Sequence, residues 1–363
     1  MAHSIQDIAE ALGCKALGDT SLTVTGVAEP ASATADTLAL AMKPEFAEDL
    51  PKGKARAAIL WEGADWETYG LEAALFSPRP RMAMSGLTAM MDPGPGFAPG
   101  IHSTAIIDPS AHLEADVSVG PYTIIAAGVR IGAGTVIGPQ CHLGTDVQIG
   151  PGALLHPGVR IGPRVKIGAR FIAHPNAVIG SDGFSFVTPE ESNVERARAT
   201  LDSEFTPEAQ AWVRIHSLGS VVIGDDVELG SLVAVDAGTV RPTQIGSGTK
   251  IDNHCHIGHN CVIGRDCLFA AFAGIAGSTQ IGNNVVFGGR VGVADNLKIG
   301  DGVIGGGGSA ILSNVPAGRF VMGSPAVKMD QHMASYKALR RLPRLAAQVA
   351  ELQKAVFKRG EKD

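Results

Sequence analysis

Aromatic residues make up only 5% of this 363-residue chain, although 45% of it is hydrophobic. A core of stacked rings is therefore excluded, and the apolar mass must be Val, Ile, Leu and Ala. Basic charge is also short. The net charge of −6 and a pI near 6.0 argue against a general nucleic-acid binder, which needs a strongly basic face. No run of 18 apolar residues exists, and Met1-Ala2-His3-Ser4 opens neither a basic region nor an apolar leader core. These absences point to a soluble, cytoplasmic chain without a transmembrane segment. Five cysteines, an odd number, fit reduced thiols better than a disulfide frame.

What is abundant is glycine, 46 residues, and its placement is periodic. From Ile101 an aliphatic or small residue recurs every six positions, often with Gly after it, through Ile107, Leu113, Val119, Ile125 and onward to Ile179 without a slip. The series resumes at Ile223, Leu229 and Val235, slips by four residues, restarts at Ile245 and holds to Ile311. A period of six is neither helix nor plain strand alternation. It describes a short strand and a tight corner, with one aliphatic residue pointing into a prism. Glycine in that pattern reads as the residue that tolerates the corner's unusual backbone. Three strands close a coil, and coils stack as parallel strands about 4.8 Å apart. The fold expected is mainly β: a parallel β-helix of hexapeptide repeats over 101–322. Cys255, Cys261 and Cys267 each take the fifth place of a hexad on three different walls, which makes them small interior side chains rather than a metal cluster.

Residues 1–100 lack the register and read as a separate small α+β domain. Ile5, Ile8, Ala9 and Leu12 have helical spacing, as do Met82, Leu87 and Met90, while Leu22–Thr25 and Ala57–Trp61 read as strands. Pro93-Gly94-Pro95-Gly96 marks the linker. Residues 185–222 form a polar excursion from one corner, either a binding element or a plain surface loop. Residues 323–363 form a helical extension. There Ala338, Leu342, Leu345, Val349, Leu352 and Val356 make a coiled-coil-like stripe, with a kink or two helices expected at Pro343. The run Gly305-Gly306-Gly307-Gly308 leaves either groove space or a tight corner.

A filled prism offers no internal pocket, so chemistry belongs outside, at corners and between subunits. His259 is third in its hexad, just past Gly258, and should project from a corner. Gly277 comes eighteen residues later, one coil above, about 4.8 Å along the axis. An imidazole with an open N–H one rung up suits acyl transfer: the ring takes the proton of an attacking amine and the N–H stabilises the oxyanion. Neither a metal nor a resident cofactor is needed. A corner histidine is as often a plain surface residue.

The stretches Pro99–Ala105 and Ile107-Asp108-Pro109-Ser110-Ala111, Ile179-Gly180-Ser181-Asp182-Gly183-Phe184, and Lys250-Ile251-Asp252-Asn253 followed by Ile257-Gly258-His259-Asn260 carry a specific resemblance. With them the chain resembles the UDP-3-O-(3-hydroxyacyl)glucosamine N-acyltransferases of lipid A synthesis, a family of left-handed β-helix, hexapeptide-repeat acyltransferases. The resemblance implies His259 as general base, Gly277 as oxyanion donor and Asp252 in support. It places Phe46, Lys43, Asn253, Asn260 and Asn296 at substrate-binding positions. It also implies a homotrimer, a uridine-binding N-terminal domain, a UDP-amino-sugar acceptor, and an acyl carrier protein that brings its own phosphopantetheine. Four features depart from the family. Leu40 stands where a ring would stack on uracil and Lys43 where Asn is usual; Asp236-Ala237-Gly238 lacks an Arg; Asn296 replaces a second His; and the 185–222 excursion is long. Lys337, Arg340, Arg341 and Arg344 crowd the start of the C-terminal helix, which makes them either a docking face for the acidic carrier protein or a solvated basic face. Rival readings are another hexapeptide-repeat acyltransferase on a nucleotide sugar, a zinc γ-type carbonic anhydrase using His254, His259 and His216, and a non-catalytic β-solenoid.

Overall fold

A computed structural model describes residues 2–200, 209–323 and 326–360. Contacts divide the chain into Met1–Gly96 and Phe97–Asp363, at the end of the Pro-Gly linker.

The first unit is a five-stranded sheet in spatial order Lys15–Gly18, Ala73–Ser77, Ala57–Trp61, Thr37–Ala41, Gly26–Ala28, parallel except for the first pairing. Helix α1 (Ile5–Leu12) starts on a reciprocal cap between Ser4 and Asp7 and stops at Gly13 in the left-handed conformation. It buries Ile5, Ile8 and Ala9. Strand Ala73–Ser77 is buried throughout and gave no alternating signal in the sequence. The short helix α2 (Pro44–Ala47) follows strand Thr37–Ala41 directly, and α3 (Pro80–Met91) occupies the methionine-rich stretch.

The second unit is a left-handed parallel β-helix whose coils pair strand on strand. Wall A runs from Ile106–Ile107 to Ala310–Ile311, wall B from His112–Leu113 to Lys298–Ile299, and wall C from Ser118–Val119 to Phe320–Val321. The inward hexad residues form one continuous core from Val119 to Val315. The four-residue slip is visible in the register, where Val235 pairs with Ile257 at a spacing larger than that of Ile257 to Ile275. The prism extends past Ile311, because Phe320–Val321 adds a last strand to wall C.

The glycines after the inward residue have a different cause from the one expected. The left-handed backbone falls two places later in the hexad, at residues such as Asp146, Asn176, Asn260 and Ser278, with φ near +60°. The glycines themselves sit where stacked corners touch. A Cβ on Gly150 would lie 2.7 Å from the Gly168 carbonyl carbon and the Ala169 nitrogen, and one on Gly132 would lie 2.5 Å from the Pro151 nitrogen. Close backbone approach, not φ, demands glycine there. The Gly305–Gly308 run is likewise structural: Gly305 faces the Phe287 ring, Gly306 faces Met322, and Gly308 takes φ +73°.

Cys255, Cys261 and Cys267 are interior, and burial pushes the thiols of Cys255 and Cys261 up to about 11. Each donates weakly to a carbonyl of the next coil, at Ala270, Ala276 and Gly282.

The outward faces of the walls differ. Wall B presents His112, Arg130, Gln148, Lys166, Gln244, Gln280 and Lys298 with Val222 and Val262, whereas wall C presents Val136, Leu154, Ile172, Leu268, Val286, Ile304 and Phe320, interrupted by Glu228 and Lys250. The excursion leaves wall A after Asp182. It holds helix α4 (Asn193–Thr200) and returns through strand Val213–Arg214, antiparallel to Phe186–Val187. Helix α5 (Met329–Gly360) runs through Pro343 as one helix, so the expected division into two does not occur. Leu342, Leu345, Val349, Leu352 and Val356 are exposed along it.

The packing separates two kinds of glycine by experiment. Gly150→Ala should destabilise the chain by about 1–3 kcal/mol through overpacking. Gly292→Ala should instead leave stability unchanged or raise it by about 0.5–1 kcal/mol, because its Cβ would meet nothing within 4 Å. Denaturant midpoints of the two variants check this, and equal shifts would refute the corner-contact explanation.

Candidate active site

His259 leaves the prism at the corner between walls A and B. Its half-buried imidazole is enclosed by two glycines. A Cβ on Gly277 would lie 2.8 Å from both Cε1 and Nε2 of the ring, and one on Gly183 would lie 2.6 Å from the His259 Cβ. Any side chain at either position would displace the imidazole. Gly183 belongs to the base of the excursion, where its N–H donates to Ser217 Oγ (2.9 Å), so outgoing and returning limbs close beside His259. The Gly277 N–H donates to no carbonyl among the described residues.

The proton position on His259 follows from its neighbour. Asn260 Oδ1 lies 3.0 Å from His259 Nδ1 and also accepts from the Thr239 N–H (3.1 Å) and Thr239 hydroxyl (2.9 Å). Its Nδ2 donates to the Arg241 carbonyl (3.1 Å). A backbone donor and a backbone acceptor thus fix the amide orientation, and an amide oxygen only accepts. Nδ1 of the neutral ring therefore carries the proton, and Nε2, beside Gly277, has the free lone pair. Thr239 and Arg241 belong to the four-residue slip, so an irregularity in the repeat holds the tautomer. Asn260 is 8% exposed with its amide fully engaged, so it positions His259 and is not placed to contact substrate.

The corner opens on a groove of about 510 Å³ whose lining includes Phe184, Asp236, His256, Gly258, His259, Gly277, Val293 and Leu312. Asp236, 6% exposed, accepts from Ser181 Oγ (3.2 Å) and from His256 Nε2 (3.0 Å). That hydrogen bond to Asp236, against opposing desolvation, raises the His256 pKa above the usual imidazole value. Coil by coil, the outward place held by His256 on wall A is then taken by Gly274, Gly292 and Ala310. Neither Gly274 nor Gly292 has positive φ, and a Cβ on either would meet nothing. Packing does not require these glycines, which leave a bare lane along the groove floor.

Other expected residues lie elsewhere. Asp252 lies one corner before His259, at the edge of wall C, where its carboxylate accepts from the N–H groups of Asn253 (2.7 Å) and Ala271 (3.0 Å). Within one chain it does not support His259. With Asn253, His174, Glu228 and Lys250 it lines a second groove of about 530 Å³. Asn296 is exposed two coils above Asn260 and bonds Asp295 (3.0 Å). His254 stacks on Phe272 at the corner between walls C and A, so it does not converge with His259, and no metal-ligand group occurs among the described residues. Lys43 and Phe46 do come together in the first unit, with the ammonium 5.8 Å from the ring centroid. Lys337, Arg340, Arg341 and Arg344 share one exposed face of α5. Sequence reasoning missed Gly183, Thr239, Arg241 and His256; the excursion and the slip were the signals that pointed to the first three.

The bacterial transferase hexapeptide model matches residues 128–163 and 242–277, the second stretch spanning the His259 coil. A UDP-3-O-acylglucosamine N-acyltransferase from Ruegeria pomeroyi is 61% identical over 99% of both chains, and one from Paracoccus denitrificans is 54% identical over 99% of this chain and 98% of that one. This chain belongs to the UDP-3-O-acylglucosamine N-acyltransferase family. It is an acyltransferase. An Arabidopsis UDP-N-acetylglucosamine acyltransferase shares the fold at 25% identity with a TM-score of 0.51, covering 61% of this chain and 71% of that one. No helix among the described residues is long and apolar enough to cross a membrane.

The Asp236–His256 pair makes a pH prediction. Because the carboxylate raises the His256 pKa in the folded chain, the pair stabilises fully below the ordinary imidazole value. That contribution fades as pH climbs through the raised value. Asp236→Asn should move the His256 ring transition to lower pH in an NMR titration; an unmoved transition would separate the two residues.

Proposed function

We propose that the chain transfers a 3-hydroxyacyl group from acyl carrier protein to the 2-amino group of UDP-3-O-acylglucosamine in lipid A synthesis, with His259 as general base. The observation that carries this reading is the His259 ring, its Nδ1 bonded to Asn260 Oδ1 and its Nε2 beside Gly277 on the groove. The acceptor amine attacks the thioester carbonyl and gives its proton to Nε2. The carbon–nitrogen bond forms while the Gly277 N–H holds the oxyanion; the carbon–sulfur bond then breaks, and the leaving sulfur takes the proton from Nε2 to depart as the carrier's thiol. The bare lane over Gly274, Gly292 and Ala310 suits an alkyl chain lying flat against the strands. No resident cofactor or metal takes part, since phosphopantetheine arrives on the carrier.

The same reading assigns the remaining surfaces. The apolar stretches of wall C on either side of Glu228 and Lys250 fit contact with a second copy, and a homotrimer would set the Asp252–Asn253 groove of one rod near the His259 groove of its neighbour. Asp252 and Asn253 would then serve a site shared between copies. Lys43 and Phe46 offer a cation and a ring to the uridine diphosphate end. Lys337, Arg340, Arg341 and Arg344 offer a basic face to the acidic carrier. The reaction is placed in the cytoplasm, where acyl carrier protein is found.

Two measurements test this. His259→Ala should leave the fold intact while lowering kcat by about 10²–10⁴; near wild-type turnover at saturating substrate would remove His259 from the chemistry. Reversing Arg340 and Arg341 to Glu should raise the KM for acyl carrier protein, less so at high salt, and leave the KM for the sugar nucleotide unmoved. Equal effects on both substrates would mark the basic face as merely solvated.

A further inference from the structure

We propose that His256, anchored by Asp236, reads a hydroxyl on the acyl chain just beyond the reacting carbonyl, and so makes the enzyme prefer hydroxyacyl over unsubstituted donors. The proposal rests on the acyl-transfer reading of the His259 groove and adds a specificity residue to it.

The starting point is a buried carboxylate that regular packing does not require. Asp236 is tied by one oxygen to Ser181 and by the other to His256 Nε2 at 3.0 Å. Burying such a group is costly unless it is paired. Its partner is not buried for packing: the His256 side chain is half exposed and lines the His259 groove. With Nε2 on Asp236, Nδ1 remains for a ligand, and no partner for it occurs among the described residues.

The neighbourhood narrows what that ligand can be. Gly258, Gly274, Ile275, Ala276, Val293 and Ala294 bring no polar side chain to the groove. Its polar side chains include Asp236, His259 and His256, of which Asp236 is internally satisfied and His259 Nε2 is assigned to the reacting amine by the acyl-transfer reading. His256 also stands at the head of the bare column that continues through Gly274, Gly292 and Ala310. An acyl group with its carbonyl at the His259 corner and its tail on that lane would start beside His256, which shares a coil with His259 and lines the same groove. A plain alkyl chain would be better served there by another small or apolar residue. An imidazole with a carboxylate behind it fits an oxygen substituent instead. A hydroxyl suits it in either protonation state, donating to the neutral ring and accepting from the charged one.

The test compares kcat/KM for two carrier-bound donors of equal length, one 3-hydroxylated and one unsubstituted, in the wild-type chain and in His256→Leu and His256→Gln. The wild-type chain should prefer the hydroxylated donor by about 10–100-fold, as expected when the bound alkyl chain covers one hydrogen-bonding group and leaves it unpaired. His256→Leu should erase that ratio. His256→Gln should restore part of it, because an amide can bond Asp236 and the hydroxyl together. Equal losses for both donors in His256→Leu, or no preference in the wild-type chain, would reduce His256 to a structural partner of Asp236. Should His256→Leu fail to fold, the ratio measured in His256→Gln and Asp236→Asn decides instead, and an unchanged ratio in both overturns the proposal. Transfer from neither donor by the wild-type chain would remove the acyl-transfer reading itself.

Discussion

The rest of the structure depends on one constraint, the contact between the corners of successive coils. Parallel strands stack at about 4.8 Å, and at that spacing corner backbones touch, so a side chain after the inward aliphatic residue has no room. Glycine is repeated for that reason, and the inward places fill with Val, Ile and Leu until the prism is closed along its axis. Among the described residues that core runs unbroken from Val119 to Val315. Every ligand must be met on the outside, by residues whose positions the stacking fixes to within a coil.

Against that regularity, the site is built from departures. The excursion after Asp182 brings Gly183 against one side of His259, and the slip near Thr239–Arg241 supplies the groups that orient Asn260. Both interruptions end at the same imidazole. A perfect repeat would have left His259 a solvated corner residue with a freely rotating ring. The slip and the excursion convert it into a ring of defined tautomer, with an open N–H on one side and a bare strand face beside it. The Gly274–Gly292 lane is a third departure. There glycine appears where stacking does not ask for it, and the absence of side chains is itself the feature.

The two flanking parts obey different rules and were less legible. In the first unit, four parallel-paired strands are covered on both faces and read as apolar runs, so Ala73–Ser77 carried no alternation to find. In α5, Pro343 lies inside a continuous helix. Proline costs the helix a hydrogen bond and strains the preceding turn, but it does not end the chain's helical path where strong helix formers continue on both sides.

The sequence alone determined the β-helix, its register, its slip, the interior place of Cys255, Cys261 and Cys267, and the stacking of Gly277 over His259. It could do so because a six-residue period maps each residue to a wall and a coil, and eighteen residues return to the same place. What the period cannot encode is contact between places many residues apart that the register does not link. That Gly183 closes on His259, that Asn260 is turned inward by Thr239 and Arg241, and that Asp236 holds His256 were decided only by the tertiary structure. These contacts arise where the chain leaves its period, and there the sequence gives no rule for where it comes back.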